Sequence, residues 1–257
     1  MEAITVIAGL VFRENLRKKV IHVFFVIAML ILIWASTFRV FTLGVQVKFL
    51  KDMALFGISF MGILITITAT AGQLSQELEH RTIYPLLAKP VTRLQVLAGK
   101  FLGALYIIYL NIALMGIVFL SLLFFRENTL DIAILQSIFL IAVECAVVAA
   151  FCLLFSTFFS TAANVTATFF LYLLGHVKMA YGDYFMTQFK IPVIHGMVKL
   201  IQNPIFPPNL QYFDIKETII KNIHVTFTHV FFVTLYGIGL VIFFLLIANL
   251  IFSKKDL

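Results

Sequence analysis

Residues 20–38 read VIHVFFVIAMLILIWASTF, with no formal charge when His22 is neutral. A bilayer core of about 30 Å needs about 20 helical residues at about 1.5 Å each. This stretch meets that length, and its neighbours repeat it. Residues 53–74, 101–125, 133–159 and 229–252 are apolar blocks of the same kind, and 163–177 is a shorter one extending to about Tyr181. The expected fold is an all-α integral membrane protein with six transmembrane helices, read as one transmembrane domain over 1–257.

Composition agrees. The chain is 62% hydrophobic and only 12% charged, against about 25% charged in soluble domains. That leaves too few charges to solvate a globule. The net charge of +7 sits between the apolar blocks, where the positive-inside rule accounts for it without a nucleic-acid partner. The first apolar run is too long for a cleaved signal peptide and follows a basic amphipathic stretch. Cys145 and Cys152 share one helix face but stand too far apart to bond to each other, and read as small buried hydrophobes.

Residues 1–19 place Ile4, Ile7, Ala8 and Val11 at helical spacing and end in Arg13, Glu14, Arg17, Lys18 and Lys19. This predicts an amphipathic elbow helix in the membrane interface; a polar extension of the first span is the other reading. With the N-terminus inside, the inner segments hold ten basic residues: Arg13, Arg17, Lys18, Lys19, Arg81, Lys89, Arg93, Lys100, Lys254 and Lys255. The short outer loops hold four: Arg39, Lys48, Lys51 and Arg126. The long loop at 182–228, with its flank, brings the outer count to nine, but long loops weigh less, so N-in and C-in is expected. In that loop Tyr181, Tyr184, Phe185, Tyr212 and Phe213 suit the outer interface.

The inner segment 75–100 reads SQELEHRTIYPLLAKPVTRLQVLAGK. Leu74, Leu78 and Ile83 mark an apolar face, and Pro85 ends or kinks the first helix. Thr92 and Gln95 form a capping box, with Val91 and Val96 as its hydrophobic staple. The next helix therefore starts at Arg93 and runs into the third span. A helix, a break and a second helix on one side can dock a partner; a loop hugging the membrane is the alternative.

Catalytic chemistry is hard to find. Ala98-Gly99-Lys100 lacks the Ser or Thr and the glycine run of a phosphate loop, so any ATP is bound by another chain. The six histidines have no metal-ligand spacing, and neither a metal nor a cofactor is expected on this chain. Asn164-Val165-Thr166 matches a glycosylation acceptor but falls on the proposed inner side. Glu144 is the one acid deep in a span and must face protein and have a partner. It serves either a structural hydrogen bond or a substrate or proton site. His176 and Lys178 read as interface anchors. Gly99 with Gly103, and Thr66 with Thr70, are small-residue pairs that permit close helix packing.

At this point the chain resembles the permease subunits of ABC-2 type transporters, particularly those similar to the permease of the nitrous-oxide-reductase maturation system. The carrying residues are Glu77-Leu-Glu79-His-Arg81-Thr82-Ile83, then Leu86-Leu87-Ala88-Lys-Pro90-Val91-Thr-Arg93, then Gly99-Lys100-Phe-Leu-Gly103. Glu144, Phe155-Ser156-Thr157, Pro208-Asn-Leu210 and Phe213-Asp214 add to it. His80-Arg81, where many members have glycine, and Pro85 depart from it. The resemblance implies that Glu77, Glu79, Arg81, Thr82, Ile83, Leu86, Leu87, Pro90 and Arg93 contact an ATPase subunit. It also implies two such ATPases carrying ATP and Mg, a second permease copy as a homodimer, a bacterial inner membrane, and export as the direction. A membrane-embedded enzyme would need several convergent polar residues at one depth, and an ion-coupled carrier more buried ionisable groups.

Overall fold

The computed structural model describes residues 2–37, 43–79, 92–127, 131–188, 208–220 and 225–254. Among them the regular structure is all helical: α1 (Glu2–Leu16), α2 (Lys19–Thr37), α3 (Leu43–Thr70), α4 (Ser75–Glu79), α5 (Arg93–Glu127), α6 (Ile132–Phe155), α7 (Thr161–Gln188), a 3-10 turn (Leu210–Phe213), α8 (Lys216–Ile220) and α9 (Phe227–Ser253). Among the described residues five stretches are long and apolar enough to cross a membrane: Lys19–Thr37, Gln46–Glu79, Arg93–Arg126, Ile132–Phe155 and Phe227–Ser253. The sequence reading expects six. The remaining block lies in α7, a helix of 28 residues diluted by Thr161, Asn164, Thr166, Thr168, His176 and Lys178.

Helix α6 is the hub, because it is apolar all round and such a helix belongs inside. In α3 and α6, 72% of the apolar window is buried, against 22% in α2 and α9. The outer helices turn Val23, Leu30, Phe231 and Ile242 outward. Lipid tails are as apolar as these side chains, so association rests on close packing and polar links rather than on exclusion of water.

Helix α1 shows how close that packing becomes. A Cβ on Gly99 would stand 2.8 Å from Ile7 Cβ, and one on Gly103 would stand 2.6 Å from the Ala8 carbonyl oxygen and 2.7 Å from Val11 Cβ. Phe12 then meets Tyr106 edge to face at 6.5 Å. The contacts advance in the same order on both helices, so α1 runs along α5. The covered face is a helix-packing face, which the expectation of an interfacial elbow did not include. Its face of Ile7, Ala8 and Val11 is buried on α5, while Val6, Leu10 and Leu16 are left outward. Two glycines a turn apart offer backbone contact that lipid cannot match.

At the opposite end the chain returns into the bundle. Pro208 and Leu210 seat on Gly175 of α7, where a Cβ would meet Leu210 Cγ and the Pro208 oxygen at 2.9 Å. Phe213 packs against Gly237 of α9, its ring 3.1 Å from where a Cβ would stand. Asn209 caps the turn, its side-chain oxygen accepting from the Gln211 amide at 3.2 Å. Phe213 is fully buried and so is not an interface aromatic; Tyr212 is exposed. Two of the basic residues that the sequence reading assigns to the outer loops are structural links. Lys51 pairs with Asp131 at 3.1 Å, and Arg126 donates to Gln46 Oε1 at 3.2 Å and to the Ser36 carbonyl.

Candidate functional site

The C-terminal end of α3, helix α4 and the first turns of α5 converge on one cation. The turn after Thr70 keeps helical bonding, with the Gln76 amide on the Gly72 carbonyl at 3.2 Å and the Leu78 amide on the Leu74 carbonyl at 2.9 Å. Helix α4 therefore continues α3 almost without a break and brings Glu77 over α5. Lys100 is buried. Its ammonium pairs with Glu77 Oε2 at 2.6 Å and donates to the Gln73 carbonyl at 2.8 Å. Partner and extra acceptor together make the burial of that charge tolerable. Sequence reasoning used Lys100 for topology, in the rejected phosphate-loop match and in the Gly99–Gly103 motif, and did not foresee its ion pair with Glu77.

Helix α5 starts as its sequence predicts. The Thr92 amide donates to Gln95 Oε1 at 3.0 Å, and the Gln95 amide donates to Thr92 Oγ1 at 3.3 Å. Arg93 sits one residue on, yet it does not join Glu77 or Glu79. Its guanidinium donates to the carbonyls of Phe252 and, at 3.2 Å, Ser253, and it lies 5.4 Å from the centre of the Phe252 ring. A cation at a helix C-terminus satisfies free carbonyls and complements the dipole. Of the sequence-predicted contact residues, Arg81, Thr82, Ile83, Leu86, Leu87 and Pro90 lie outside the described residues, as does Pro85.

Glu79 is exposed and borders an open cleft of about 230 Å³ with Ser75, Leu78 and the α6–α7 turn, Ser156 to Ser160. Ser75 binds this turn directly, its hydroxyl 3.0 Å from that of Thr161. Asn164 completes the junction. Its side-chain amide donates to the carbonyls of Ala71 and Cys152, both at 3.0 Å, and its oxygen accepts from Thr168 Oγ1 at 3.0 Å. Asn164 is wholly buried, a tie between α3, α6 and α7 with no room for a glycan. Thr66 and Thr70 are buried and return their hydroxyls to the carbonyls of Gly62 and Thr66, both at 2.7 Å. Cys145 and Cys152 are free and buried.

The membrane acid has a partner. Glu144 Oε1 lies 2.7 Å from His176 Nε2, and the Tyr172 ring stands edge-on to the imidazole at 4.7 Å. His176 is thus not a free interface anchor; it turns inward to the one carboxylate deep in the bundle. Its spacing from Glu144 crosses a helical hairpin, a distance no local pattern reports. The neighbours of this pair receive the returning outer segment. Gly175 seats Leu210, and Val143 contacts Gly237 where Phe213 packs.

Among the described residues no group of His, Cys, Asp or Glu is placed to hold a metal ion. The family model of the ABC-2 family transporter proteins matches residues 5–257. That match is to the family at large and does not single out the permease of the nitrous-oxide-reductase maturation system. No curated protein matches the chain significantly.

Proposed function

This chain belongs to the ABC-2 transporter family, and from that premise we propose that it is the membrane-spanning permease subunit of an ATP-driven exporter. Two copies would form the path, with α7 as the sixth crossing and both ends of the chain inside a bacterial inner membrane. Two separate ATPase subunits would carry ATP and Mg. The Ser75–Lys100 segment is the coupling element: Glu77, Glu79, Arg81 and Arg93 provide polar groups, and Thr82, Ile83, Leu86, Leu87 and Pro90 the kinked apolar stretch.

One observation carries this reading: the segment leaves from α4 and returns at the capped start of α5, and Lys100–Glu77 fastens its two ends together. A push on the segment therefore reaches α3 and α5 at once. Truncating buried interface anchors commonly costs about 2 kcal/mol or more, and rim charges much less. Leu86→Ala with Leu87→Ala is expected to weaken ATPase co-purification more than Glu79→Ala. Normal ATPase binding after deletion of residues 83–87, in a correctly inserted permease, would sink the coupling role.

A further inference from the structure

We propose that the elbow formed by α1 and the start of α2 is a binding surface for anionic phospholipid, with Arg13, Arg17 and Lys19 as the headgroup cations. This goes beyond the transport reading and does not depend on it. Val6, Leu10 and Arg13 follow one another at spacings of four and three residues, which places them on one stripe of α1, and Arg17 continues it in the turn that closes the helix, its amide on the Glu14 carbonyl at 3.0 Å. All four are exposed. The stripe is apolar in its first half and doubly cationic in its second.

Lys19 and His22 continue the exposed polar edge on α2, with Val20 and Val23 exposed beside them. The nearest acid, Glu14, is already paired with Lys18 at 3.4 Å. Among the described residues Arg13, Arg17 and Lys19 have no acidic partner. The opposite face of α1 is fixed on Gly99 and Gly103, so the stripe is presented in one orientation, with little ordering left to do on binding. Uncompensated cations joined to outward apolar side chains, on a protein that lies in a membrane, match a phosphate headgroup with its acyl chains. A soluble anion would use the cations and leave the apolar half idle.

The test uses the full chain, purified in neutral detergent and titrated with fluorescent phosphatidylglycerol. Wild type should bind it and should prefer it to phosphatidylcholine; equal affinity for the two lipids overturns the proposal. Arg13→Gln/Arg17→Gln/Lys19→Gln should bind about tenfold more weakly or worse, given the contribution each basic residue makes at an anionic surface. Its melting temperature in phosphatidylcholine should be unchanged. Arg13→Lys/Arg17→Lys/Lys19→Arg and the remote Lys48→Gln should bind like wild type; loss in the charge-preserving variant overturns a headgroup site. If the triple glutamine variant does not fold, Arg17→Gln alone carries the test, with about a fivefold loss expected and an unchanged affinity fatal. Displacement of the lipid by glycerol phosphate as readily as by unlabelled phosphatidylglycerol would make this a free-anion site and overturn the lipid assignment.

Discussion

The Lys100–Glu77 pair where α4 meets α5 and the Glu144–His176 pair within the bundle are built to nearly the same length, 2.6 and 2.7 Å. Each has one sealed member and one partly exposed member, but the sealed member is opposite in kind. At the α4–α5 junction it is the cation, with the side chain of Lys100 4% exposed and that of Glu77 32%. Within the bundle it is the acid, 2% exposed against 22% for His176. A sealed lysine without its acid is left with a single carbonyl, that of Gln73. Lys100 faces a carboxylate, whereas Glu144 faces an imidazole, which makes an ion pair only when it is protonated. The Lys100–Glu77 pair is therefore expected to be the dearer of the two to break.

The largest effect is expected from Glu77→Ala. Breaking a buried pair from one side costs about 3–5 kcal/mol, and the partial exposure of Glu77 puts this case near about 3 kcal/mol. Replacing both members, Glu77→Leu with Lys100→Met, should cost less than Glu77→Ala alone. Denaturant unfolding in micelles measures both, and a double variant at least as damaged as the single would erase the distinction.

Glu144 should respond to shape and hydrogen bonding more than to charge. Glu144→Leu leaves the His176 nitrogen unpaired, at about 1–3 kcal/mol, whereas Glu144→Gln keeps a bonding group and should stay within about 1 kcal/mol of wild type. Equal losses in thermal melting would show that this pair, too, depends on its charge.

The smallest effect sharpens the α4–α5 side. Thr92→Ala removes one half of the capping box, at about 1 kcal/mol. Hydrogen exchange should rise in the first turn of α5 and remain unchanged around Glu144. Exchange rising equally at both places would mean the two regions are not separable units.

What the sequence disclosed follows the range of each signal. Apolar runs and the capping box act over a few residues, so the spans, the start of α5 and the need of Glu144 for a partner were legible. The identity of that partner was not, because Glu144 and His176 meet only after α6 and α7 fold back. Lys100 was hidden for the same reason: Glu77 and Gln73 reach it across an interval of chain that carries no periodic signal. The elbow was half legible. Its apolar face was read correctly, but an amphipathic pattern cannot distinguish lipid from a glycine-lined helix as the surface that covers it. The bonds of Arg93 to the carbonyls at the end of α9 were not legible either, since they join residues some 160 positions apart.

The seat of α1 on Gly99 and Gly103 also sets an order of events during synthesis. Helix α1 leaves the ribosome well ahead of α5, and at about 5–20 residues per second the surface it needs emerges on the order of ten seconds later. Through that interval Ile7, Ala8 and Val11 lack the glycine-lined surface that covers them in the folded chain. The Arg93 bond to Phe252 and Ser253 can close only when α9 has been made, which makes it a late fastening in the assembly of the chain.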